Sequence, residues 1–368
     1  MKKLAILGIR GLPAEHGGFE TFAEYLSTHL VDRGWQVTVY CQTCGGEQRQ
    51  HTWQGIELID IPVPKDNTWG TIWFDIKSTI HACKHHNRLL TLGYNTGFLA
   101  IYCRFKKVNN IINMDGIEWQ RSKWSFPIKA WFYLNERLAC WFGNGLIADH
   151  PEIAKHLATR VSNNKITTIP YGAEPISSMP ASKLQPFKLE SEQYILVIAR
   201  PEPENSILEI VRAYSKCQRP FKLVVLGKFK EENNYHKTVQ AAANNDVLFP
   251  GAIYDKDIVQ TLREHATLYI HGHQVGGTNP SLLESMAAGN AIIAHDNRFN
   301  RWVTNSQMLY FSNEQQLDSL LETALEEPHE LARMQQASTK LYLERYQWST
   351  IVDQYEQLLL QSNSKESS

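Results

Sequence analysis

The stretch that most narrows the fold is Tyr269-Ile-His-Gly-His-Gln-Val-Gly-Gly-Thr-Asn-Pro-Ser-Leu-Leu-Glu-Ser-Met-Ala-Ala-Gly289. The apolar run from Ala266 to Ile270 has the length of a buried strand. Two histidines and a Gly-Gly turn follow. Thr278 or Asn279 then stands where a helix cap belongs, with Pro280 at a first-turn position and Glu284 one turn further in. Gly289 stops the helix, and a second apolar strand begins at Ala291. Strand, glycine turn, capped helix and strand make a βαβ unit. The free N–H groups and positive dipole end of such a helix suit a phosphate above the strand's carboxyl end. A turn that only connects strand to helix is the alternative.

A chain of 368 residues exceeds one ordinary core and predicts two domains. No apolar run reaches the roughly 18 residues of a membrane span. Met1–Ile9 is too short for a signal peptide and reads as a first buried strand, so a cytoplasmic protein is expected. The six cysteines are scattered, as reduced thiols would be. Cys41-Gln-Thr-Cys44 is a close pair without a second pair or histidine partner, and no metal site is expected from it. Charge is uneven: residues 1–172 carry a net +5 and the remainder −6. A basic first half either seeks an anionic partner or is ordinary solvated surface.

The alternation of the opening unit recurs along the chain. Leu4–Ile9 reads as a strand, Gly8–Gly18 as a glycine-bearing loop, Phe19–Asp32 as a helix stopped by Gly34, and Gln36–Cys41 as a strand. Gly8, Gly11, Gly17 and Gly18 do not fit the dinucleotide fingerprint G-x-G-x-x-G, which weakens a dehydrogenase reading. Gly55–Pro62 is expected as a strand, Thr71–Leu90 as a helix, and Phe98–Cys103 and Asn109–Asn113 as strands. The last runs into Asp115-Gly116, an acid and a glycine in the crevice position where α/β sheets bind ligands. A turn-forming Asp before Gly is the plainer account.

Ser125–Gly143 is crowded with Phe126, Trp131, Phe132, Tyr133, Trp141 and Phe142 beside Lys129 and Arg137, with Arg121, Lys123 and Trp124 just before. Aromatics beside cations fit an interfacial membrane surface. They equally fit a bulky helix packed on the sheet. Leu146–Ala148 and Lys165–Ile169 read as further strands, with a helix opening at Pro151 between them. Glu174–Gln193 has a linker's composition. Beyond it, Tyr194–Ala199, Lys222–Leu226 and Val247–Phe249 read as strands, and Glu204–Lys216 and Asp255–His265 as helices. Trp348–Leu360 is a closing amphipathic helix.

Two such domains create a cleft between the carboxyl ends of two sheets. In the second, Arg200 ends a strand while Gly276, Gly277 and Thr278 open a helix. Arginine suits a diphosphate because its fork bonds two oxygens. Glu284 is placed to accept hydrogen bonds from ribose hydroxyls. No P-loop is present, so a nucleotide-diphosphate site without NTP hydrolysis is expected. Without a metal, leaving-group charge falls to Arg200, helix N–H groups and His273.

Five blocks in this order carry a family resemblance: Gly17-Gly18-Phe-Glu20-Thr21, Asp115-Gly-Ile-Glu118-Trp119, Pro170-Tyr-Gly-Ala173, Arg200-Pro-Glu-Pro-Glu-Asn205 and Gly276-Gly277-Thr278-Asn279-Pro-Ser-Leu-Leu-Glu284. Together they resemble the retaining nucleotide-sugar glycosyltransferases of GT-B fold (family 4 type). The bacterial subgroup that attaches rhamnose to polysaccharide precursors is the most similar. The resemblance implies an α/β fold of two Rossmann-like domains facing each other across a cleft: an acceptor-binding domain at 1–172 and a donor-binding domain at 173–347. The helix at about 348–361 is available to pack back on the first. It implies that Arg200 holds the donor diphosphate and Glu284 the ribose, with Asn205, His273, Gly276, Gly277, Thr278 and Asn279 around the donor. Arg200, Asp115 and Glu284 are the expected catalytic set. The Gly17-Gly18 loop, with Glu20, Glu118 and Trp119, is expected at the phosphates and acceptor.

Three departures from the family pattern stand out. The first glutamate of Glu-x7-Glu falls at Gly276, the usual lysine falls at Asn205, and Asp115 replaces a common histidine. The rhamnose-attaching subgroup is similar in all three. The implied reaction is transfer from dTDP-rhamnose with retention, onto a lipid-linked or oligosaccharide acceptor of cell-surface polysaccharide synthesis. No cofactor, metal or nucleic acid is expected, and the enzyme is expected to be cytoplasmic, peripheral on the inner face of the cell membrane. The alternatives are a UDP- or GDP-dependent hexosyltransferase, an NDP-sugar epimerase, or a sugar-nucleotide-binding protein without catalysis.

Overall fold

The computed structural model describes residues 2–14, 17–121 and 124–361. Glu15 and His16 of the first glycine loop, Lys123, and the polar tail from residue 362 lie outside the described residues. The chain divides into two compact units, residues 1–171 with 348–368, and residues 172–347.

The first unit runs β1 (Lys3–Leu7), α1 (Gly17–Asp32), β2 (Gln36–Cys44), β3 (Arg49–Trp53), β4 (Ile56–Val63), α2 (Thr68–His85), β5 (Arg88–Leu92), α3 (Leu99–Phe105), β6 (Asn109–Asn113), α4 (Phe126–Phe142), β7 (Gly145–Ala148), α5 (Pro151–Ala158) and β8 (Ile166–Thr168). Its sheet has the order β3-β4-β2-β1-β5-β6-β7-β8, and β3 is its antiparallel strand. Parallel strands are covered on both faces and therefore read as unbroken apolar runs. On one face, Leu4, Ile6, Val37 and Val39 pack with Phe22, Leu26 and Leu30 of α1. On the other, Ala5, Leu7 and Leu89 pack with Phe74 and Ala82 of α2 and Cys103 of α3.

The second unit runs β9 (Tyr194–Ile198), α6 (Ile207–Ser215), β10 (Lys222–Leu226), α7 (Asn234–Ala241), β11 (Val247–Gly251), α8 (Lys256–Glu264), β12 (Leu268–His271), α9 (Pro280–Ala287), β13 (Ala291–His295), α10 (Arg298–Val303), β14 (Leu309–Phe311), α11 (Glu314–Glu326) and α12 (Pro328–Arg345). All its strands are parallel, in the order β11-β10-β9-β12-β13-β14. That is the doubly wound order, which reverses between β9 and β12 and leaves a crevice at their carboxyl ends.

α13 (Trp348–Gln361) belongs to the first unit. Trp348 stacks on Tyr25 with ring centres 4.8 Å apart, and Tyr355 accepts a hydrogen bond from Asn113 Nδ2 at 2.9 Å. Glu356 accepts from Trp35 Nε1 at 2.8 Å and pairs with Lys2 and Arg33, each at 3.0 Å.

Two expected elements are of the wrong type. Phe98–Cys103 is not a strand: Leu99–Phe105 is helix, burying Ala100 and Cys103 one turn apart. The expected helix over 71–90 stops at His85, and Arg88–Leu92 is instead a central strand between β1 and β6. A short apolar run has no period that separates strand from helix. Competition for the slot beside β1 decides the assignment. The edge strands β3 and β14 and the helices α10 to α12 were not anticipated.

The aromatic helix also resolves. α4 buries Asn135, Glu136, Ala139 and Cys140 and turns Phe126, Trp131, Tyr133, Leu134 and Trp141 outward. Its inward face is polar because Asn135 Oδ1 accepts the Phe98 N–H at 3.0 Å and Glu136 is held by Trp119, His156 and Arg160.

The α13 clamp sets a pH dependence. Burial pushes the Glu356 carboxyl up, but bonds from Trp35, Lys2 and Arg33 outweigh it and hold the pKa at about 2, below the ordinary 4.5. A depressed folded-state value means the stabilisation is complete above the unfolded pKa and disappears as pH falls through about 2. Glu356→Gln is therefore expected to lower the urea midpoint at pH 7. The difference from wild type should shrink below pH 4.5 and close near pH 2. Equal midpoints at pH 7 contradict the clamp.

Candidate functional site

At the reversal of the second sheet, the loops after β9 and β12 are laced together. Arg200 is exposed just past β9, and its carbonyl accepts hydrogen bonds from Glu202 N at 2.7 Å and Asn205 Nδ2 at 2.8 Å. Gly272 must be glycine, since a Cβ there meets the Asn205 carbonyl oxygen at 2.2 Å. Ser206 Oγ donates to the Gly272 carbonyl at 2.8 Å, and Gln274 N donates to the Glu204 carbonyl at 2.9 Å. Asn205, buried, directs its amide at the Arg200 backbone. It shapes the loop that presents the arginine, where a lysine would have added charge. Among the described residues, the Arg200 guanidinium has no hydrogen-bond or ion-pair partner.

His271 and His273 stack with ring centres 4.4 Å apart and planes at 10°. Burial, then the charge of Arg200, lowers the His273 pKa to about 4. Burial, then His273 and His295, drives His271 well below the ordinary value. Near neutrality the His273 ring is therefore uncharged and offers hydrogen bonding rather than a positive charge. Two side chains that sequence reasoning missed hold its backbone. The Nδ2 groups of Asn297 and Asn300 donate to the His273 carbonyl at 3.0 and 2.9 Å.

Asn279 caps α9, accepting from Ser281 N at 3.0 Å and Ser281 Oγ at 2.9 Å. The N–H groups of Leu282 and Leu283 already bond to the Asn279 carbonyl at 3.1 and 3.2 Å, and Pro280 has none. The expected row of free N–H groups at the helix end is therefore absent. The N–H groups of Gly276 and Gly277, by contrast, have no partner among the described residues. Gly276 has φ +134°, a backbone state that side chains rarely adopt, and open space around its missing Cβ. The backbone itself thus disfavours a glutamate there. Thr278 is buried, and Glu284, partly exposed, pairs with the buried Arg263 of α8. Arg263 too escaped sequence reasoning, because only the fold brings α8 to α9.

In the first unit the expected residues separate into two groups. Gly17, Gly18 and Glu20 line a cavity that opens where β1 and β5 meet. Glu20 Oε1 accepts the Arg10 N–H at 3.2 Å, and Glu24 Oε2 accepts the Ala14 N–H at 2.7 Å, tying the glycine loop to α1. Asp115, Glu118 and Trp119 are not among that cavity's lining. Asp115 follows β6 with φ +52°, a strained state that Asp tolerates better than most residues. Glu118 accepts from Trp124 Nε1 at 3.1 Å and pairs with Arg121 at 2.9 Å, while Trp119 Nε1 donates to Glu136 at 2.7 Å. These polar groups are engaged in holding the turn before α4. Cys41 is buried and Cys44 exposed, and no cluster of three metal-ligating side chains occurs among the described residues.

Comparison with known proteins places this geometry. Residues 180–341 match the family Glycosyl transferases group 1, and residues 1–174 match a domain of unknown function, DUF1972. An uncharacterized glycosyltransferase of Methanocaldococcus jannaschii is 22% identical over 323 residues, 80% of this chain and 81% of that protein. Sucrose-phosphate synthase from Thermosynechococcus elongatus superposes with a TM-score of 0.83 at 15% identity, over 99% of this chain and 100% of the other. Anabaena HepE, solved with UDP and glucose, gives 0.77 at 15% identity over 98% and 100%. The two-domain α/β fold with parallel sheets is that of the GT-B glycosyltransferases.

The low His273 pKa gives a direct check. In an NMR titration its ring is expected to stay neutral at pH 6 and to protonate with a midpoint near 4. A midpoint at or above 6.5 contradicts the burial described.

Proposed function

We propose that this chain, a group 1 glycosyltransferase of GT-B type, moves rhamnose from dTDP-rhamnose with retention onto a lipid-linked or oligosaccharide acceptor of cell-surface polysaccharide. The observation that carries a nucleotide-sugar donor is Arg200. It is a cation without a partner among the described residues, at the switch point of the second sheet, on a loop bonded to the loop that leads into Gly276 and Gly277. A diphosphate placed there gains a two-pronged cation and backbone donors without displacing any internal partner. The proposal invokes no metal or cofactor.

Transfer breaks the bond from the sugar's anomeric carbon to the leaving phosphate oxygen and forms one to the acceptor oxygen on the same face. The acceptor's proton passes to the leaving phosphate. Arg200 and the Gly-Gly turn stabilise the charge developing on that phosphate. Glu284, oriented by Arg263, accepts from ribose hydroxyls, and neutral His273 contributes hydrogen bonding only. Asp115 orients the sugar or acceptor. The absence of a side chain at Gly276 supports a donor that asks for one polar contact fewer, as a sugar lacking its 6-hydroxyl does. A UDP-hexose donor is the second reading, favoured by the ligands of HepE.

A membrane-bound acceptor is supported by the outward faces of α2, α3 and α4, which expose Trp69, Trp73, Phe105, Phe126 and Trp141. Lys77 lies over the Trp73 ring at 5.1 Å and Lys106 over Phe105 at 6.0 Å. Aromatic side chains interleaved with lysines suit the headgroup region of an anionic bilayer. No helix among the described residues is long and apolar enough to cross a membrane. In this proposal the enzyme works peripherally on the cytoplasmic face.

Turnover with dTDP-rhamnose, UDP-glucose and GDP-mannose tests the donor. Consumption of dTDP-rhamnose is expected, and Arg200→Ala is expected to lower it about a hundredfold or more. Near-normal turnover by that variant rules out the assignment. Co-sedimentation with vesicles is expected to rise with anionic lipid and to fall when Trp69 and Phe126 are both changed to serine. Absence of binding at every composition removes the membrane contact.

A further inference from the structure

The first unit has its own switch point, and a carboxyl stands in it that the proposed reaction does not use. The sheet order reverses between β1 and β5. A cavity of about 360 Å³ lies there, bounded by the loops after both strands and by α2 and α3. This is within the size range of small-ligand sites, roughly 300–1,000 Å³. Asp75 of α2 is in its wall, 8% exposed. Its carboxylate accepts a hydrogen bond from Thr96 Oγ1 at 2.9 Å and has no cation partner among the described residues. Burial raises the carboxyl pKa to about 7, against the opposing effect of Thr96.

Burying a carboxyl without a counter-ion is costly unless hydrogen bonds satisfy it. Glu136 of the same unit shows the structural solution, with Trp119, His156 and Arg160 all bonded to it. Asp75 lacks that arrangement and faces a space instead. Thr79, Thr91 and Asn110 add hydroxyl and amide groups to the wall, while Phe74 and Leu99 add apolar surface. Gly8 keeps the rim tight, since a Cβ there meets the Leu92 carbonyl oxygen at 2.1 Å. Arg10 also lines the cavity but is paired with Asp66 at 3.5 Å, and Glu20 is a second acid in the lining. Two acids and one already-paired cation disfavour an anion. A neutral ring with a hydroxyl edge and an apolar face matches every wall.

We propose that this cavity is a subsite for one neutral sugar ring of the acceptor, with Asp75 and Thr79 bonding its hydroxyls and Phe74 and Leu99 covering its apolar face. The proposal rests on the reading of the chain as a sugar transferase. Asp75 acts here as a specificity-determining contact.

Saturation-transfer NMR of the full chain without donor, using the methyl glycosides of glucose, galactose, mannose, rhamnose and N-acetylglucosamine as probes, tests it. At least one glycoside is expected to bind. Asp75→Asn is expected to weaken it about tenfold or more, the scale of a lost bond to a charged group. Thr79→Val is expected to weaken it several-fold, and this second variant decides if Asp75→Asn does not fold. Binding of none of the glycosides, or binding unchanged in both variants, overturns the subsite. Nucleoside diphosphate binding on the same samples reads the second unit independently. Its loss alone counts against the proposed donor and leaves the subsite standing.

Discussion

The second unit depends on one backbone contact, the approach of Gly272 to Asn205. A parallel sheet in the doubly wound order leaves a crevice where two crossovers part. It does not by itself bring a side chain to that crevice. Here the β12 loop comes so close to the β9 loop that only glycine fits at position 272. Asn205, on the other side of that contact, bonds to the carbonyl of Arg200. The position of the cation is thus fixed by backbone geometry and one buried amide. The guanidinium itself has no hydrogen-bond or ion-pair partner among the described residues.

The electrostatic pattern around Arg200 follows from the same packing. His271, buried, and His273, half-buried, are stacked near it, and both are kept neutral by desolvation and by neighbouring charge. A protonated histidine there would repel the arginine. A neutral pair lets one permanent cation dominate the field. The carboxylate of Glu284 is in turn held by Arg263 from α8, so its charge is balanced from behind. Arg200 and the N–H groups of Gly276 and Gly277 remain without partners among the described residues.

The sequence made most of this legible wherever a signal was local. The cap at Asn279, the stop at Gly289 and the strand at Ala291 are chemical punctuation, and they fell where expected. Phe98–Cys103 and Leu89–Leu90 failed because short apolar runs have no period, so sheet competition decides them. The helix-end donors failed for a different reason: Asn279 occupies them with its own side chain and carbonyl. Glu118 and Trp119 were expected at the acceptor from the family resemblance; Glu118 is engaged by its sequence neighbours Arg121 and Trp124, and Trp119 by Glu136 of α4. Arg263 and Asp75 were missed, since each gains meaning from a helix distant in sequence. The aromatic stretch of α4 was ambiguous as sequence because periodicity alone does not say which face turns inward. Polar residues on the buried face settle it.

In the proposed function the crevice of the second unit takes a diphosphate. Calorimetric titration of the full chain with dTDP, UDP and GDP, each against its parent nucleoside at low and high salt, tests this. At least one diphosphate is expected to bind about tenfold or more tightly than its nucleoside, on the scale of charge-assisted bonds. The advantage is expected to narrow as salt screens Arg200. Equal affinity for diphosphate and nucleoside, or binding of neither, would contradict the proposal.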